Sequence, residues 1–199
     1  MTNIGIIGAG GIGSYLSQVI FELITVNLQI KVNDVTITVF DHDDVSEKNI
    51  LYQNFKMEDI LENKSECIGS RYGFFSSTKK ITHEDELDEF DIVIGCVDNT
   101  PARRIIYKWG DKSPNNYWID LRSEGRAIAY FTKTPKNTAK SMEETLNKEA
   151  NPNTSCQLPY ELENNIIQLG NRIVANIGAQ LLLNKLRGEF NAGNFTARF

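Results

Sequence analysis

The sequence predicts an α/β fold, with a doubly wound, mainly parallel sheet, helices on both faces and an antiparallel C-terminal part. Short β-branched runs alternate with segments of helical periodicity, which is typical of parallel strands joined by helices. A glycine-rich turn, GAGGIG, separates the first run from the first helical segment. The chain has 199 residues, of which 41% are apolar. This is enough for one buried core, so we expect a single domain over residues 1–199.

Each predicted element follows from a local pattern. Apolar residues that recur every three or four positions predict a helix, as at Ile12, Leu16 and Ile20. The predicted strands are residues 3–7, 35–40, 72–76, 91–97, 116–120 and 126–132, and we expect the last to run antiparallel. The predicted helices are residues 11–24, 57–68, 100–109 and 160–186. Gly188 should end the last helix, and a terminal strand or hairpin should follow it.

Residues 133–155 differ in composition from the rest of the chain. They are polar and interrupted by proline. We therefore expect a mobile crossover loop, with one short exposed helix at residues 142–148.

Composition and cysteine spacing argue against several classes of function. The net charge is −5 and the pI is about 5.2, without the clustered lysine and arginine that nucleic-acid binding needs. No apolar run approaches the roughly 20 residues of a membrane span, and the N-terminus does not resemble a signal peptide. Cys67, Cys96 and Cys156 lie far apart without a C-x-x-C pair, so we expect neither disulfides nor structural zinc. A cytoplasmic location is the expectation.

The turn GAGGIG follows a predicted strand and opens a predicted helix, which is the setting of a phosphate-binding loop in a Rossmann-like fold. Backbone amides and the helix N-terminus would face an anion there. The glycines are Gly8, Gly10, Gly11 and Gly13. Alternatively, they only allow close packing of helix and strand. Asp41, at the end of the second strand, has the position of a residue that binds ribose hydroxyls. Together these features predict a bound nucleotide without identifying it.

When the glycine-rich loop is taken together with the stretch that begins at Asp41, the sequence resembles the ThiF/MoeB/HesA adenylyltransferases, which are related to ubiquitin-activating enzymes. The resemblance covers residues 4–132 and rests on a glycine-rich loop, an acidic stretch, a lysine and a C-x-D-N motif in a shared order. The matching residues are Gly8, Gly10, Gly13, Asp41, Asp43, Val45, Asn49, Gln53, Lys64, Cys96, Asp98, Asn99 and Arg103. The short C-terminal half also resembles compact ThiF-like proteins of bacterial plasmids and phages, including PRTRC-system members.

This resemblance implies that ATP and Mg²⁺ are used to adenylate the C-terminal carboxylate of a small β-grasp carrier protein ending in Gly-Gly. It further implies a homodimer. By this resemblance, Asp41 would hold the ribose and the glycine loop, including Gly11, would bind the phosphates. Lys64 would neutralise the phosphate charge, and Asp98 would ligate Mg²⁺. The remaining implied nucleotide contacts are Asp43, Asn49, Gln53 and Asn99. Two ordinary structural interpretations stay open: Lys64 as an exposed helix lysine, and Asp98 with Asn99 as a helix cap.

The sequence departs from the family pattern at Tyr52, where the family has a phosphate-binding arginine. We also expect no N-terminal helix that would supply an arginine to a neighbouring subunit. Other arginines are candidates to compensate, with Arg103 the first choice; they are Arg71, Arg103, Arg104, Arg122 and Arg126. If none compensates, the chain is a weak enzyme or an inactive ATP-binding scaffold subunit. An NAD-dependent oxidoreductase is a further alternative, although no acid or base constellation accompanies the loop.

Cys156 lies where many family members carry a cysteine that accepts the activated carrier as a thioester. Its place before the last long helix could lower the pKa of its thiol. The alternative is a plain loop cysteine. We expect Cys67 and Cys96 to be packing residues, and His42 and His83 to be surface residues without a metal role.

Overall fold

A computed structural model describes residues 1–26, 34–146, 160, 163–164 and 166–199. Within these residues, one seven-stranded sheet has the order β3-β2-β1-β4-β5-β6-β7. The strands are β1 Thr2–Ile7, β2 Val35–Phe40, β3 Phe75–Ser77, β4 Ile92–Gly95, β5 Tyr117–Glu124, β6 Ala127–Thr132 and β7 Asn194–Arg198. Strands β1 to β5 are parallel, whereas β6 and β7 pair antiparallel. The predicted fold class is confirmed.

The helices cover both faces of this sheet. They are α1 Gly11–Val26, α2 Glu47–Ile50, α3 Lys64–Tyr72, α4 Thr100–Lys112, α5 Ala139–Leu146 and α6 Gly170–Leu186, with 3₁₀ turns at Met57–Asp59 and Glu84–Leu87. Helices α1, α3 and α6 cover one face, and α4 and α5 cover the other. No helix in the described ranges has both the length and the apolar character that a bilayer span requires.

The described residues form two hydrophobic cores, one on each face of the sheet, and these fix the position of the first strand. Ile4 and Ile6 of β1 pack with Leu16 of α1 on one side, and Ile7 packs with Tyr107 of α4 on the other. Because β1 is buried on both faces, its apolar run is continuous rather than alternating. The sheet order reverses between β1 and β4, and ligands of such sheets bind outside the carboxyl ends of the strands at this point.

The helix predicted over residues 57–68 is wrong. The chain forms a 3₁₀ turn at Met57–Asp59, takes a left-handed φ of 74° at Leu61, and begins α3 only at Lys64. The reason is the Asn63 side chain, which accepts hydrogen bonds from the Ser65 and Glu66 amides and so caps the helix. Strand β3 accordingly starts at Phe75, three residues later than predicted.

Two predictions in the C-terminal half also need correction. The last helix begins at Gly170 rather than at residue 160, and Ile166 and Leu169 are exposed instead of continuing its buried face. The short helix is α5, and it is not fully exposed, because Met142 and Leu146 are 2% and 1% exposed in the core beneath it. Residues 147–155 of the predicted crossover loop lie outside the described residues.

Candidate functional site

A cavity of about 350 Å³ opens at the carboxyl ends of β1, β2 and β4. Its volume lies within the usual range of small-molecule sites. The glycine loop, the chain after β2, the chain after β3 and the start of α4 form its walls. Among the predicted site residues, those that line it are Gly8, Gly10, Gly11, Asp41, Asp43, Gln53, Lys64, Asp98 and Asn99. The predicted residues Asn49, Gly13 and Arg103 do not line it.

The glycines of the loop have different roles. Gly8 has a φ of 94°, which favours glycine, and a Cβ on it would lie 2.9 Å from the Cys96 carbonyl oxygen. A Cβ on Gly13 would overlap the Gly8 carbonyl group, so Gly13 serves close packing of α1 on β1. By contrast, a Cβ on Gly10 would meet no described residue within 4 Å apart from its chain neighbours, because Gly10 faces the cavity. The loop thus presents bare backbone at the N-terminus of α1, which suits an anion.

Asp41 connects the chain after β2 to the glycine loop. Its Oδ2 accepts a hydrogen bond from the Ala9 amide at 2.7 Å, and its Oδ1 accepts one from the Asp43 amide at 2.9 Å. Burial raises the pKa of Asp41, and the two backbone hydrogen bonds and the Lys64 ammonium partly offset this effect. A carboxylate oxygen can accept more than one hydrogen bond. Asp41 therefore keeps acceptor capacity for the hydroxyl groups of a ligand.

Lys64 is held at the cavity by a network that the sequence only partly suggests. Its side chain is 9% exposed, and its Nζ forms an ion pair with Asp43 Oδ2 at 3.1 Å. Asn63 Nδ2 donates to the carbonyl oxygens of Asp41 and Asp43 at 3.2 and 3.1 Å, which joins the chain after β2 to the start of α3. Lys64 is thus a buried, oriented cation rather than an exposed helix lysine.

Asp98 and Asn99 follow β4 and have separate functions. The Asn99 side chain accepts a hydrogen bond from the Ala102 amide at 2.9 Å and caps α4. The Asp98 side chain is exposed in the cavity, and within the described residues no hydrogen bond or ion pair engages its carboxylate. Magnesium prefers oxygen ligands, often one or two carboxylates with phosphate oxygens and water. Asp98 is therefore the carboxylate best placed to ligate it.

A second group of side chains is also close enough together to hold a cation. Asp41, His42 and Asp43 each offer one ligand atom, and these atoms lie within 4.8 Å of one another. Asp43 is already paired with Lys64, however, and Asp41 with two backbone amides. Competition from these partners makes the group a poorer cation site than Asp98.

Gln53 and Tyr52 form the wall between the glycine loop and the chain after β2. Gln53 is 7% exposed, and its Oε1 has no hydrogen-bond partner among the described residues. Buried polar atoms are rarely left unpaired, so a ligand donor or water would satisfy this atom. Tyr52 is 9% exposed and contributes no charge. Asn49, predicted to contact the nucleotide, instead accepts hydrogen bonds from the Ser46 amide and hydroxyl, both at 2.9 Å, and caps α2.

The arginines considered as compensating charges lie outside the cavity. Arg103 is buried and donates from Nη2 to the Val97 carbonyl at 2.8 Å, with its Nε 3.4 Å from Asp120 Oδ1. It thereby supports the backbone just before Asp98. Arg71, Arg104 and Arg122 pair with Asp59, Glu143 and Asp120 respectively, and Arg126 is exposed beside the β5–β6 turn. Cys156 lies outside the described residues.

Sequence reasoning missed four contributing residues. Lys79 and Lys80 line the cavity, and their place just after a predicted strand was the available signal. Asn63 could have been found from the N-K-S-E pattern, in which a capping residue precedes a glutamate by three positions. Asn171 of α6 is 1% exposed, touches Gly11, and has both side-chain polar atoms unpaired within the described residues. No local sequence signal pointed to it.

Cys67 and Cys96 occupy the positions expected of packing residues. Cys96 is 5% exposed, and Cys67 is half-buried against the core below α1. Burial, with a smaller effect from nearby Asp59, raises the pKa of Cys67 to about 11. This thiol therefore stays protonated near neutral pH.

Comparisons with solved structures agree with this architecture. The chain is similar to E. coli MccB crystallised with succinimide, with a TM-score of 0.68 and 16% identity over 100% of this chain and 61% of that chain. It is also similar to PaaA, with a TM-score of 0.63 and 15% identity over 100% of this chain and 61% of that chain. It is similar as well to E. coli MccB crystallised with AMPCPP and MccA, with a TM-score of 0.63 and 17% identity over 92% of this chain and 55% of that chain.

The chain therefore spans about three fifths of the length of these proteins. At such low identity the likeness concerns the fold alone. No curated protein matches the sequence. The family comparison is more specific, because the ThiF family matches residues 1–199. The chain belongs to the ThiF family.

Proposed function

We propose that this protein uses ATP to adenylate the C-terminal carboxylate of a small carrier protein or peptide. The observation that carries the proposal is the cavity that brings the glycine loop, Asp41, Lys64 and Asp98 together at the switch point of the sheet. Membership of the ThiF family supports the reaction type. The structures of MccB with the peptide MccA support a polypeptide substrate.

In this reaction a carboxylate oxygen attacks the α-phosphorus of ATP. A new bond forms between that oxygen and phosphorus, and the bond from phosphorus to the bridging oxygen breaks, so that pyrophosphate leaves with its electron pair. Two anions must approach one another, and the site must stabilise the negative charge that builds up. Among the groups that line the cavity, the amides at the start of α1 and the Lys64 ammonium would serve this purpose.

The ribose of ATP would lie against Asp41, whose carboxylate can accept further hydrogen bonds beside the glycine loop. The unpaired Gln53 Oε1 offers one further acceptor in the same wall. Mg²⁺ would be held by Asp98, where it would neutralise phosphate charge and orient the leaving pyrophosphate. Arg103 would keep the backbone before Asp98 in place through its hydrogen bond to the Val97 carbonyl.

The proposed carrier is a β-grasp protein with a C-terminal Gly-Gly, whose narrow tail could enter a cavity of this size. The proposed assembly is a homodimer. Cys156 is proposed to accept the activated carrier: its thiolate would attack the acyl carbon, form a thioester and release AMP. Each of these three proposals rests on the family resemblance of the sequence.

A second candidate function, an ATP-binding scaffold subunit, is favoured by Tyr52. This residue is buried in the cavity wall where a cation would stabilise the developing charge. A scaffold would bind ATP and Mg²⁺ but would not complete the chemistry.

Exchange of radiolabelled pyrophosphate into ATP separates the two functions. Adenylation predicts exchange that depends on a carrier ending in Gly-Gly or on a peptide with a free C-terminal carboxylate. Exchange should disappear in Asp98→Ala and persist in Asp88→Ala, which removes a carboxylate outside the cavity. ATP binding in calorimetry without exchange for any of these substrates would instead identify a scaffold.

A further inference from the structure

If Lys64 were the only cationic side chain at the cavity, the positive charge of the lining would not balance the negative charge of a bound polyphosphate. Among the described residues, three carboxylates line the cavity: Asp41, Asp43 and Asp98. Lys64 is already paired with Asp43, and Tyr52 adds no charge. ATP brings several further negative charges, and the Mg²⁺ proposed at Asp98 would offset only part of them, so additional cations would favour binding at this site.

In the part of the chain that the structure describes, Lys79 and Lys80 are the remaining lysines along the cavity wall. Both side chains are exposed, and neither forms an ion pair or a side-chain hydrogen bond with any residue that the structure describes. Lys64 is the one other Lys or Arg among the described residues of the wall, and its ammonium group is paired with the Asp43 carboxylate. The two ammonium groups are thus available to a ligand.

The backbone around these lysines is anchored. Ser77 pairs with Phe40 in the β2–β3 ladder, and its carbonyl oxygen accepts hydrogen bonds from the Asp41 amide and the Ser65 hydroxyl at 3.1 Å each. On the other side, Ile81 is 6% exposed and packs in the core below α4. The segment therefore crosses the edge of the sheet beside the cavity, with two flexible cationic side chains between fixed ends.

We infer that Lys79 and Lys80 bind the polyphosphate of the nucleotide and supply the positive charge that Tyr52 does not. The inference rests on the proposed function, since it concerns the same cavity. Lysine suits this task as a point charge on a flexible stem, and it can follow the phosphates as pyrophosphate leaves. Lys64 would then contact the polyphosphate from the α3 side of the cavity, and Lys79 and Lys80 would contact it from the β3 side.

Calorimetric titration of the full chain with ATP and with adenosine tests the inference. We compare Lys79→Ala/Lys80→Ala with a control pair, Lys136→Ala/Lys140→Ala, which removes the same charge from exposed positions away from the cavity. The first pair should weaken ATP binding about 30-fold, which corresponds to roughly fivefold for each ammonium group near a phosphate in solvent. Adenosine binding should stay the same, and the control pair should change neither affinity. Lys79→Arg/Lys80→Arg should restore ATP binding.

Three results would overturn the inference. The first is unchanged ATP affinity in the Lys79/Lys80 variant, and the second is an equal loss of adenosine affinity, which would place the lysines at the base or ribose. The third is an equal loss of ATP affinity in the control pair, which would mean a general charge effect. If the unmodified chain binds no ATP at all, both this inference and the proposed function fail, whereas a failure limited to the lysine variants leaves the proposed function standing.

Discussion

Replacing Gly13 or Gly10 of the loop with alanine separates a packing role from a ligand-binding role. A Cβ on Gly13 would lie 2.9 Å from the Gly8 carbonyl carbon and closer still to its oxygen. These are backbone atoms that cannot rotate away, so α1 has to shift from β1. We expect Gly13→Ala to lower the free energy of unfolding by about 3 kcal/mol or more, at the upper end of overpacking costs.

Gly10→Ala should behave in the opposite way. Its Cβ would meet nothing within 4 Å and its φ lies outside the left-handed region, so the fold can accept the methyl group. Restriction of the unfolded chain should even stabilise the protein by about 0.4–1 kcal/mol. The methyl group would, however, occupy the space in which a phosphate reaches the backbone amides. We expect ATP affinity to fall at least about tenfold, or ~1.4 kcal/mol.

Urea denaturation and calorimetric titration with ATP measure the two effects in the same samples. Gly73→Ala is the matched control, because Gly73 has a φ of 69°, a Cβ on it would meet no described residue within 4 Å, and it does not line the cavity. That change should cost about 1–2 kcal/mol of stability from backbone strain and leave ATP affinity unchanged. The reasoning is refuted if Gly10→Ala destabilises as much as Gly13→Ala, or if it binds ATP normally.

Three further predictions concern stability. Because the pKa of Asp41 is raised, the stability that its protonated form contributes is complete below the ordinary value of 3.8 and is lost as pH rises through the pKa of the folded state. The stability of Asp41→Asn relative to the unmodified protein should therefore increase from about pH 4 to about pH 7. A difference in the free energy of unfolding that stays constant over this range in urea denaturation would contradict the raised pKa. Gly11→Ala should cost about 1–3 kcal/mol, because its Cβ would press on the Asn171 carboxamide, and adding Asn171→Ala should recover most of this loss in a double-mutant cycle. Leu146→Ala should cost about 2–5 kcal/mol as a buried truncation, whereas a cost near zero would indicate an exposed helix.

The parallel half of the fold could be read from the sequence because its signals are local. The strand predicted at residues 35–40 has the same bounds in the structure, because a short β-branched run between polar turns favours a strand over a helix. Glycines in a strand–turn–helix setting likewise located the cavity. The α3 boundary was missed because one side chain, Asn63, competes with helical periodicity and ends the preceding turn.

The remaining errors depend on contacts that are distant in sequence. One face of α5 is buried because Met142 and Leu146 meet the core below α4, and no local pattern shows which surface will receive them. Arg103 was expected in the cavity, yet Val97 and Asp120 hold it behind the cavity wall. Conversely, Lys79 and Lys80 reach the cavity only because β3 pairs with β2, which is a property of the sheet order.

Transfer of isotope from the substrate carboxylate to AMP tests the proposed adenylation most directly. A carrier or peptide labelled with ¹⁸O at its C-terminal carboxylate is incubated with ATP and Mg²⁺, and hydroxylamine is added to cleave the acyl adenylate at carbon. Attack by the carboxylate on the α-phosphorus predicts one ¹⁸O atom in the AMP released, seen by mass spectrometry and absent in Asp98→Ala. AMP without the label, or no AMP despite bound ATP, would contradict the account.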